Sequence, residues 1–326
     1  MSVDVSFGQV LEAWAPSPAG RARTLGGPKM LVTAILAVLI CGLVAAALGP
    51  EAPAAATRGA DQAATAVSPL AAGLGRRLPR APVVSTPLPP PVVHHFNRPG
   101  DLVRVMFVGD SVAQTTAAGL GPLASRYGGA IANEGIMGCG VTTASPYRYF
   151  GSVSDLLPQC YGWASTWMSA VQRDDPDVVA IVVGRWELMD RVFQGHWTHI
   201  GDPAYDAYLE TQIDLGVSIA ASKGAKVALL TDPYYLRGHT PTGGIFPEDD
   251  PARVDLVNGL LHQVAARYPG LVTVVDFGAF LSPGGHFSMV VDGTQVRSDG
   301  VHMTPDAGAV LAPWIMPQLV AIGRSA

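Results

Sequence analysis

Charged residues are scarce in this sequence: Asp, Glu, Lys and Arg together make up 14% of its 326 residues. No run of lysine or arginine occurs, and the net charge at pH 7 is −5. A protein that binds nucleic acid needs a basic face to contact the phosphates. The composition therefore argues against a nucleic-acid partner.

Cysteine is also rare, and whether Cys139 and Cys160 pair depends on the redox compartment of the folded part. The third cysteine, Cys41, lies in an apolar run.

Metal-binding patterns are few as well. His196 and His199 have a spacing found among helical metal ligands, but the sequence offers no evident third ligand. We therefore expect neither a metal nor another cofactor.

The run over residues 30–49 contains no charge and predicts a transmembrane helix. A helix of this length spans roughly 30 Å, the thickness of a hydrocarbon core. Basic residues are more frequent before the run than directly after it, so residues 1–29 are predicted to be cytoplasmic. A cleaved signal peptide is the alternative, although the run is longer than a usual signal core. We predict a single-pass protein of the cell membrane.

The stretch over residues 50–100 is rich in alanine and proline, and its second half is punctuated by prolines. Proline fixes φ and removes a hydrogen-bond donor, so this stretch predicts a semi-rigid extended spacer. Residues 101–326 remain, enough for one well-buried domain. That domain is predicted to lie outside the membrane.

Short apolar runs alternate with amphipathic stretches beyond residue 101. This alternation predicts an α/β fold with a doubly wound, mainly parallel sheet of about five strands. In such sheets, ligands bind beyond the carboxyl ends of the strands. The predicted strands cover residues 103–108, 130–132, 178–183, 226–230 and 271–275. The predicted helices cover residues 112–126, 163–173 and 204–222, with a fourth opened by Glu248-Asp249-Asp250-Pro251 and a last one capped by Thr304-Pro305 and ending near residue 322.

Two segments near predicted strand and helix ends carry nucleophile and base chemistry. Ser111 follows Gly109-Asp110 after the first strand, where a hydroxyl would point out of the strand ends. On this tripeptide alone, Asp110 or Ser111 is better explained as a helix cap. Asp299 and His302 stand three residues apart, so the carboxylate could fix the imidazole while the other ring nitrogen takes a proton. Together the segments predict a Ser-His-Asp triad.

These segments, in this order, resemble the SGNH (GDSL-type) hydrolases over roughly residues 103–322. The first block is matched by Gly109-Asp110-Ser111, the second by Gly138 in the loop after strand two, and the fifth by Asp299 and His302. A Gly-x-Ser-x-Gly elbow is missing, so the α/β-hydrolase fold is not favoured.

The third block departs from the family's Gly-x-Asn-Asp pattern, because Gly184-Arg185-Trp186-Glu187 holds no asparagine. This variant is similar to the SGNH domains attached to bacterial membrane acyltransferases, which act on cell-envelope glycans. The resemblance implies a nucleophile, a base that takes its proton, an acid that orients the base, donors to an oxyanion, and supporting carboxylates. The implied nucleophile is Ser111, the base is His302, and the acid that orients it is Asp299. The implied oxyanion donors are the N–H groups of Ser111 and Gly138, with Arg185 or Trp186 replacing the asparagine. The supporting carboxylates are Asp110 and Glu187.

The function expected from the resemblance is an extracytoplasmic esterase that removes O-acyl groups, O-acetyl above all, from an envelope carbohydrate. The alternatives are an O-acetyltransferase onto an envelope glycan, or a catalytically weak domain that binds glycan or a partner protein. A separate membrane acyltransferase is a candidate partner. With an outside location, Cys139 and Cys160 should form a disulfide, which contributes about 3 kcal/mol in the chain-entropy model.

Overall fold

The computed structural model describes residues 100–325. The predicted cytoplasmic tail, the predicted membrane helix at 30–49 and nearly all of the spacer at 50–100 lie outside the described residues. Within residues 100–325, no helix is both long enough and apolar enough to cross a bilayer.

The centre of the domain is a five-stranded parallel sheet with the strand order β2-β1-β5-β8-β9. The inner strands are rich in β-branched residues and buried on both faces, as expected when helices cover both sides. The five-stranded parallel sheet predicted from the sequence is confirmed. Its strands are β1 (Val103–Gly109), β2 (Gly129–Gly135), β5 (Val178–Val182), β8 (Lys226–Leu230) and β9 (Val272–Val275).

Helices pack on both faces of this sheet, which makes it doubly wound. The first and last helices contact each other and the inner strands, whereas the second, third and fourth pack in series. The helices are α1 (Ser111–Leu120), α2 (Trp163–Asp174), α3 (Pro203–Ala220), α4 (Pro251–Ala266), α5 (Phe277–Leu281) and α6 (Ala307–Arg324).

Helix starts follow the expected capping chemistry. The side chains of Asp110, Asp202 and Asp250 each accept a backbone N–H from the first turn of α1, α3 and α4. The predicted helix at 112–126 was too long, because α1 ends before Gly121-Pro122 and proline cannot continue a helix. A short 3₁₀ helix at Ala124–Tyr127 follows it.

A second, antiparallel sheet was missed by the sequence analysis. It has the order β4-β3-β6-β7 and is built from strands of three residues each, too short to give a visible alternation. Its strands are β3 (Tyr147–Tyr149), β4 (Ser152–Ser154), β6 (Arg191–Phe193) and β7 (His196–Thr198), and a two-residue hairpin pairs β10 (Val290–Val291) with β11 (Thr294–Gln295).

The predicted disulfide between Cys139 and Cys160 is confirmed, with the two Cα atoms 5.1 Å apart. Both cysteines are buried in a small core with Tyr147, Leu156 and Met189. The bond therefore joins the loop after β2 to the segment that leads into α2.

Helices α1 and α6 cross where neither carries a side chain. Gly308 lies against the backbone of Gly119, and a β-carbon on Gly308 would overlap with the carbonyl of Gly119. The close approach of the two helices thus depends on glycine at the crossing.

We predict that Gly308→Ala lowers the free energy of unfolding by about 1–3 kcal/mol, because the added methyl group forces the helices apart. Denaturant unfolding followed by circular dichroism measures this. Gly259→Ala in α4 is the matched control, since nothing lies within 4 Å of its β-carbon position. The control should be neutral or stabilising. Equal effects of the two substitutions would show that the crossing is not tightly packed.

Candidate active site

Ser111 is the first residue of α1, directly beyond the carboxyl end of β1. Asp110 is the helix cap, and its Oδ1 accepts the N–H of Val112 at 2.7 Å. Asp110, and not Ser111, therefore caps the helix. The Ser111 hydroxyl is left for other contacts, and its N–H belongs to the helix-start donors that have no intrahelical acceptor.

Asp299 and His302 lie in a tight loop before α6. The N–H of Ser298 donates to the carbonyl of His302 at 2.9 Å, which closes the loop. Thr115 of α1 fastens this loop, because its hydroxyl donates to the carbonyl of Ser111 at 2.8 Å and accepts the N–H of Met303 at 3.2 Å. The helix that carries Ser111 is thereby tied to the loop that carries His302.

The structure brings Ser111, His302 and Asp299 together in one hydrogen-bonded row. His302 Nε2 lies 2.8 Å from Ser111 Oγ, and His302 Nδ1 lies 2.8 Å from Asp299 Oδ2. Burial raises the pKa of Asp299, but hydrogen bonds from His302 and the charge of Arg237 outweigh it and hold that pKa below its usual value. The arrangement can deprotonate the serine through the imidazole while the carboxylate stabilises the imidazolium.

Gly138 lies in the loop that follows β2, beside the carboxyl end of β1. The two strands are in register up to Gly109 and Gly135, and the N–H of Ile136 donates to the carbonyl of Gly109 at 2.8 Å. Gly138 has a φ of +78°, a left-handed conformation that favours glycine. The disulfide at Cys139 holds the same loop.

Glu187, predicted as a supporting carboxylate, braces that loop. Its Oε1 accepts the N–H groups of Val141 at 2.7 Å and Thr142 at 3.4 Å, and its Oε2 accepts that of Gly184 at 3.2 Å. Gly140 has no room for a side chain, because a β-carbon there would overlap with the Glu187 carboxylate. Burial raises the pKa of Glu187, while the charge of Arg191 and the backbone hydrogen bonds oppose that rise.

Arg185 is engaged in a buried ion pair. Its Nε donates to Asp249 Oδ1 at 2.7 Å, its Nη2 lies 3.7 Å from Glu248 Oε1, and the guanidinium lies 5.3 Å from the centroid of the Phe150 ring. The acidic triplet was predicted to be a helix start, which is correct for Asp250. Glu248 and Asp249 instead turn inward as counter-ions of Arg185.

Trp186 packs over the loop of Gly138. Its Cζ2 lies 3.8 Å from the position that a β-carbon on Gly138 would take, so the indole ring lies beside the loop. The ring stacks on Tyr149 at 5.7 Å and meets the edge of Tyr147 at 5.5 Å. Of the two candidates for replacing the asparagine, Trp186 is the one beside Gly138.

Two further carboxylates lie buried under the strand ends. Asp110 Oδ2 and Asp232 Oδ2 are both buried without a hydrogen-bond partner among the described residues. Burial and then the charge of Glu187 raise the pKa of Asp110 to about 7. Burial and the charges of Asp110 and Glu187 raise the pKa of Asp232 well above its usual value, and Tyr235 donates its hydroxyl to Asp232 at 3.1 Å.

Three further tryptophans and His199 make contacts of their own. Trp163 and Trp167 are core residues in edge-to-face contact, whereas Trp197 is exposed under the guanidinium of Arg148. His199 Nδ1 lies 2.6 Å from the carbonyl of Ile200. In the part of the chain that the structure describes, no group of three His, Cys, Asp or Glu side chains could hold a metal ion.

Sequence reasoning missed Arg237, whose Nη2 lies 3.3 Å from Asp299 Oδ2. No motif marks this arginine, because it lies about sixty positions before Asp299 in a stretch without regular secondary structure. Its proximity to the triad comes from the tertiary fold alone.

We predict that Asp110→Asn stabilises the protein more at pH 8 than at pH 5. Because the folded-state pKa of Asp110 is raised to about 7, ionisation of the native carboxyl costs stability as the pH rises from about 4 to about 7. The substitution removes this cost, so its effect on the free energy of unfolding should grow by on the order of 3 kcal/mol between the two pH values. Any pH-independent cost of the buried amide cancels in the comparison.

Guanidinium chloride unfolding of both proteins at pH 5 and pH 8 provides the measurement. Asp250→Asn is the matched control, because Asp250 caps α4 in the same way with a carboxylate that solvent reaches. A pH-independent difference for Asp110→Asn would contradict the raised pKa.

Comparisons with known proteins identify the family of this chain. A family model described as the SGNH domain fused to AT3 domains matches residues 90–317. Similar solved structures include a putative SGNH hydrolase from Slackia heliotrinireducens, with 17% identity, a TM-score of 0.42 and coverage of 67% of this chain and 99% of that chain. Another is a catalytic mutant of an acetylxylan esterase from Geobacillus stearothermophilus, with 18% identity, a TM-score of 0.40 and coverage of 68% and 95%.

A putative lipolytic protein of the G-D-S-L family from Desulfitobacterium hafniense is similar at 14% identity, with a TM-score of 0.43 and coverage of 66% of this chain and 98% of that chain. No curated protein matches the sequence. The family model alone spans more than half of the chain, so the chain belongs to the SGNH family, in the group whose domains are fused to AT3 acyltransferase domains.

Proposed function

We propose that this protein is an extracytoplasmic serine esterase that removes O-acyl groups, O-acetyl in particular, from a cell-envelope carbohydrate. The observation that carries the proposal is the row of hydrogen bonds from Ser111 Oγ through His302 to Asp299, with 2.8 Å at each step. This spacing lets a base take the proton of the serine as it attacks a carbonyl.

The reaction proceeds in two acyl transfers. Ser111 Oγ attacks the ester carbonyl and loses its proton to His302 Nε2, and the tetrahedral oxyanion then collapses to an acyl-serine. The departing sugar oxygen takes the proton from His302. Water next attacks the acyl-serine, gives its proton to His302, and releases the carboxylic acid as Ser111 regains a proton.

We assign the binding of the oxyanion to two backbone N–H groups. That of Ser111 lies at the start of α1, and that of Gly138 lies in the loop braced by Glu187 and the disulfide. Trp186 stands where the family's third block has its asparagine, and its indole ring lies beside Gly138. We assign to the Trp186 indole the third donor, and removing such a donor typically costs about 3 kcal/mol of transition-state stabilisation.

The substrate class and the location are supported by three observations. The family model describes SGNH domains fused to acyltransferase domains, whose chemistry involves acyl groups. The Cys139–Cys160 disulfide fits an oxidising compartment. The uncharged run at residues 30–49, with basic residues before it, favours a membrane anchor that leaves the domain outside.

We predict that a fluorophosphonate probe labels the wild-type protein and that Ser111→Ala reduces the labelling at least about a thousandfold, because the nucleophile is gone. In-gel fluorescence measures it. Ser169→Ala on the exposed face of α2 is the matched control and should label as the wild type does. An unlabelled wild-type protein, or undiminished labelling of Ser111→Ala, would exclude the catalytic function and favour a domain that binds glycan or a partner protein.

We predict further that the protein releases acetate from p-nitrophenyl acetate at a rate that a glycan acceptor does not change. We expect this result because water, rather than the glycan, attacks the acyl-serine. The measurement is the release of p-nitrophenol and acetate with and without a soluble polysaccharide, with Ser111→Ala as the blank. Faster p-nitrophenol release accompanied by acetylated glycan would replace the esterase with an O-acetyltransferase.

A further inference from the structure

Arg237 contacts the carboxylate that orients His302. Its Nη2 lies 3.3 Å from Asp299 Oδ2, the oxygen that also lies 2.8 Å from His302 Nδ1. The other oxygen, Oδ1, accepts the backbone N–H groups of Val301 at 3.1 Å and His302 at 2.9 Å. Arg237 is therefore the cation that pairs with Asp299.

The side chain of Arg237 is held from two directions. Its Nη1 donates to the hydroxyl of Tyr149 in the small antiparallel sheet, and its guanidinium lies 5.8 Å from the centroid of the Phe150 ring. Only 20% of the side chain is exposed, compared with 30% for Asp299. A flexible surface arginine would spend conformational entropy to reach the carboxylate, whereas these contacts hold the guanidinium in place.

The backbone at Arg237 is fixed as well. Gly300, inside the Asp299–His302 loop, has a φ of +85° and lies against the chain at Leu236 and Arg237, where a β-carbon would overlap with the carbonyl of Leu236. The N–H of Arg237 donates to Asp249 Oδ2 at 3.0 Å. The other oxygen of Asp249 accepts Nε of the buried Arg185 at 2.7 Å.

A continuous set of contacts thus runs from the third block to the triad. Arg185 follows β5, Asp249 precedes α4, and Arg237 follows β8, so three separate chain segments are linked in series and Arg237 connects them to Asp299. Without Arg237, the partners of Asp299 among the described residues would all be in its own loop.

We propose that Arg237 is a positioning residue for ester hydrolysis, which orients Asp299 toward His302 and is itself oriented by Asp249 and Arg185. This proposal rests on the proposed function, since it assigns a role within that triad. Among the described residues, no hydrogen bond or ion pair joins Arg237 to Ser111. Its effect on the reaction passes through Asp299 and then through His302.

Two consequences follow from the charge and the geometry of Arg237. Its ion pair restricts the Asp299 carboxylate to the orientation that His302 needs, so the loss of that pair should lower kcat more than it changes KM. Its positive charge disfavours protonation of the neighbouring Asp299–His302 pair, so removal of the charge should move the acid limb of the rate profile to higher pH. A role in folding alone would produce the first effect without the second.

The test compares Arg237→Met and Arg237→Lys with the wild-type protein, with kcat and KM for p-nitrophenyl acetate measured across pH 5–9. Arg237→Met should lose about 10- to 100-fold in kcat/KM, because Asp299 loses its ion pair and His302 is oriented less well. Its acid limb should move up by about half a pH unit or more. Arg237→Lys should keep the acid limb near that of the wild type and still lose rate, because an ammonium cannot bridge Tyr149 and Asp299 as a guanidinium does.

Arg267→Met is the matched control, because Arg267 also makes carboxylate ion pairs, with Glu210 and Asp214, on the remote surface between α3 and α4. It should leave both kcat/KM and the acid limb unchanged. If Arg237→Met fails to fold by circular dichroism, Tyr149→Phe tests the same contact, since it removes the hydroxyl that holds Nη1. Tyr149→Phe should then lower kcat without moving the acid limb.

The outcomes separate this proposal from the proposed function. If the wild-type protein reacts with a fluorophosphonate through Ser111 while Arg237→Met keeps the wild-type kcat/KM and acid limb, the positioning role is overturned and the esterase stands. If Arg237→Met does not fold and Tyr149→Phe keeps the wild-type kcat, the positioning role is likewise overturned. A wild-type protein that does not react through Ser111 overturns both.

Discussion

The position of the nucleophile depends on the packing of Gly109 between two parallel strands. Gly109 is in register with Gly135 on one side and Val182 on the other, and a β-carbon there would overlap with the carbonyl of Val182. Its φ of +137° also lies in a region that side chains disfavour. The chain can therefore turn sharply at this point and start α1 two residues later, which places Ser111 beyond the strand ends together with the loops from β2 and β5.

Several carboxyl groups lie buried near these strand ends, where ionisation is unfavourable. Asp110, Glu187 and Asp232 are buried carboxylates near one another, and an unpaired buried charge is costly. Burial raises the pKa of all three carboxyls, like charge adds to that rise at Asp110 and Asp232, and backbone N–H groups oppose it at Glu187. The carboxylate of Asp299 differs, because hydrogen bonds from His302 and the charge of Arg237 outweigh its burial and keep its pKa low. The fold thus keeps the ionised acid beside the histidine and suppresses ionisation beneath the serine.

The sequence was sufficient for the features that a local pattern encodes. Buried parallel strands are runs of β-branched residues, and the motifs around Ser111 and His302 lie directly at strand and helix ends. It was not sufficient for contacts that only tertiary structure creates. The small antiparallel sheet has strands of three residues, and Glu248 and Asp249 look like an ordinary helix start until the fold turns them toward Arg185. Burial, rather than residue type, separates these two acids from Asp250, which does cap a helix.

The third block shows how a departure from a family pattern can be absorbed by the surroundings. Where the family has Gly-x-Asn-Asp, Trp186 packs on the Gly138 loop and Glu187 accepts backbone N–H groups from the same loop. Arg185 leaves that site and pairs with Asp249, which also holds the backbone of Arg237. An asparagine could serve only as a local donor, whereas this trio contacts both the loop of Gly138 and the support of Asp299. An asparagine at Trp186 alone would therefore not reproduce these contacts, because it would leave the Tyr149 ring without its stacking partner.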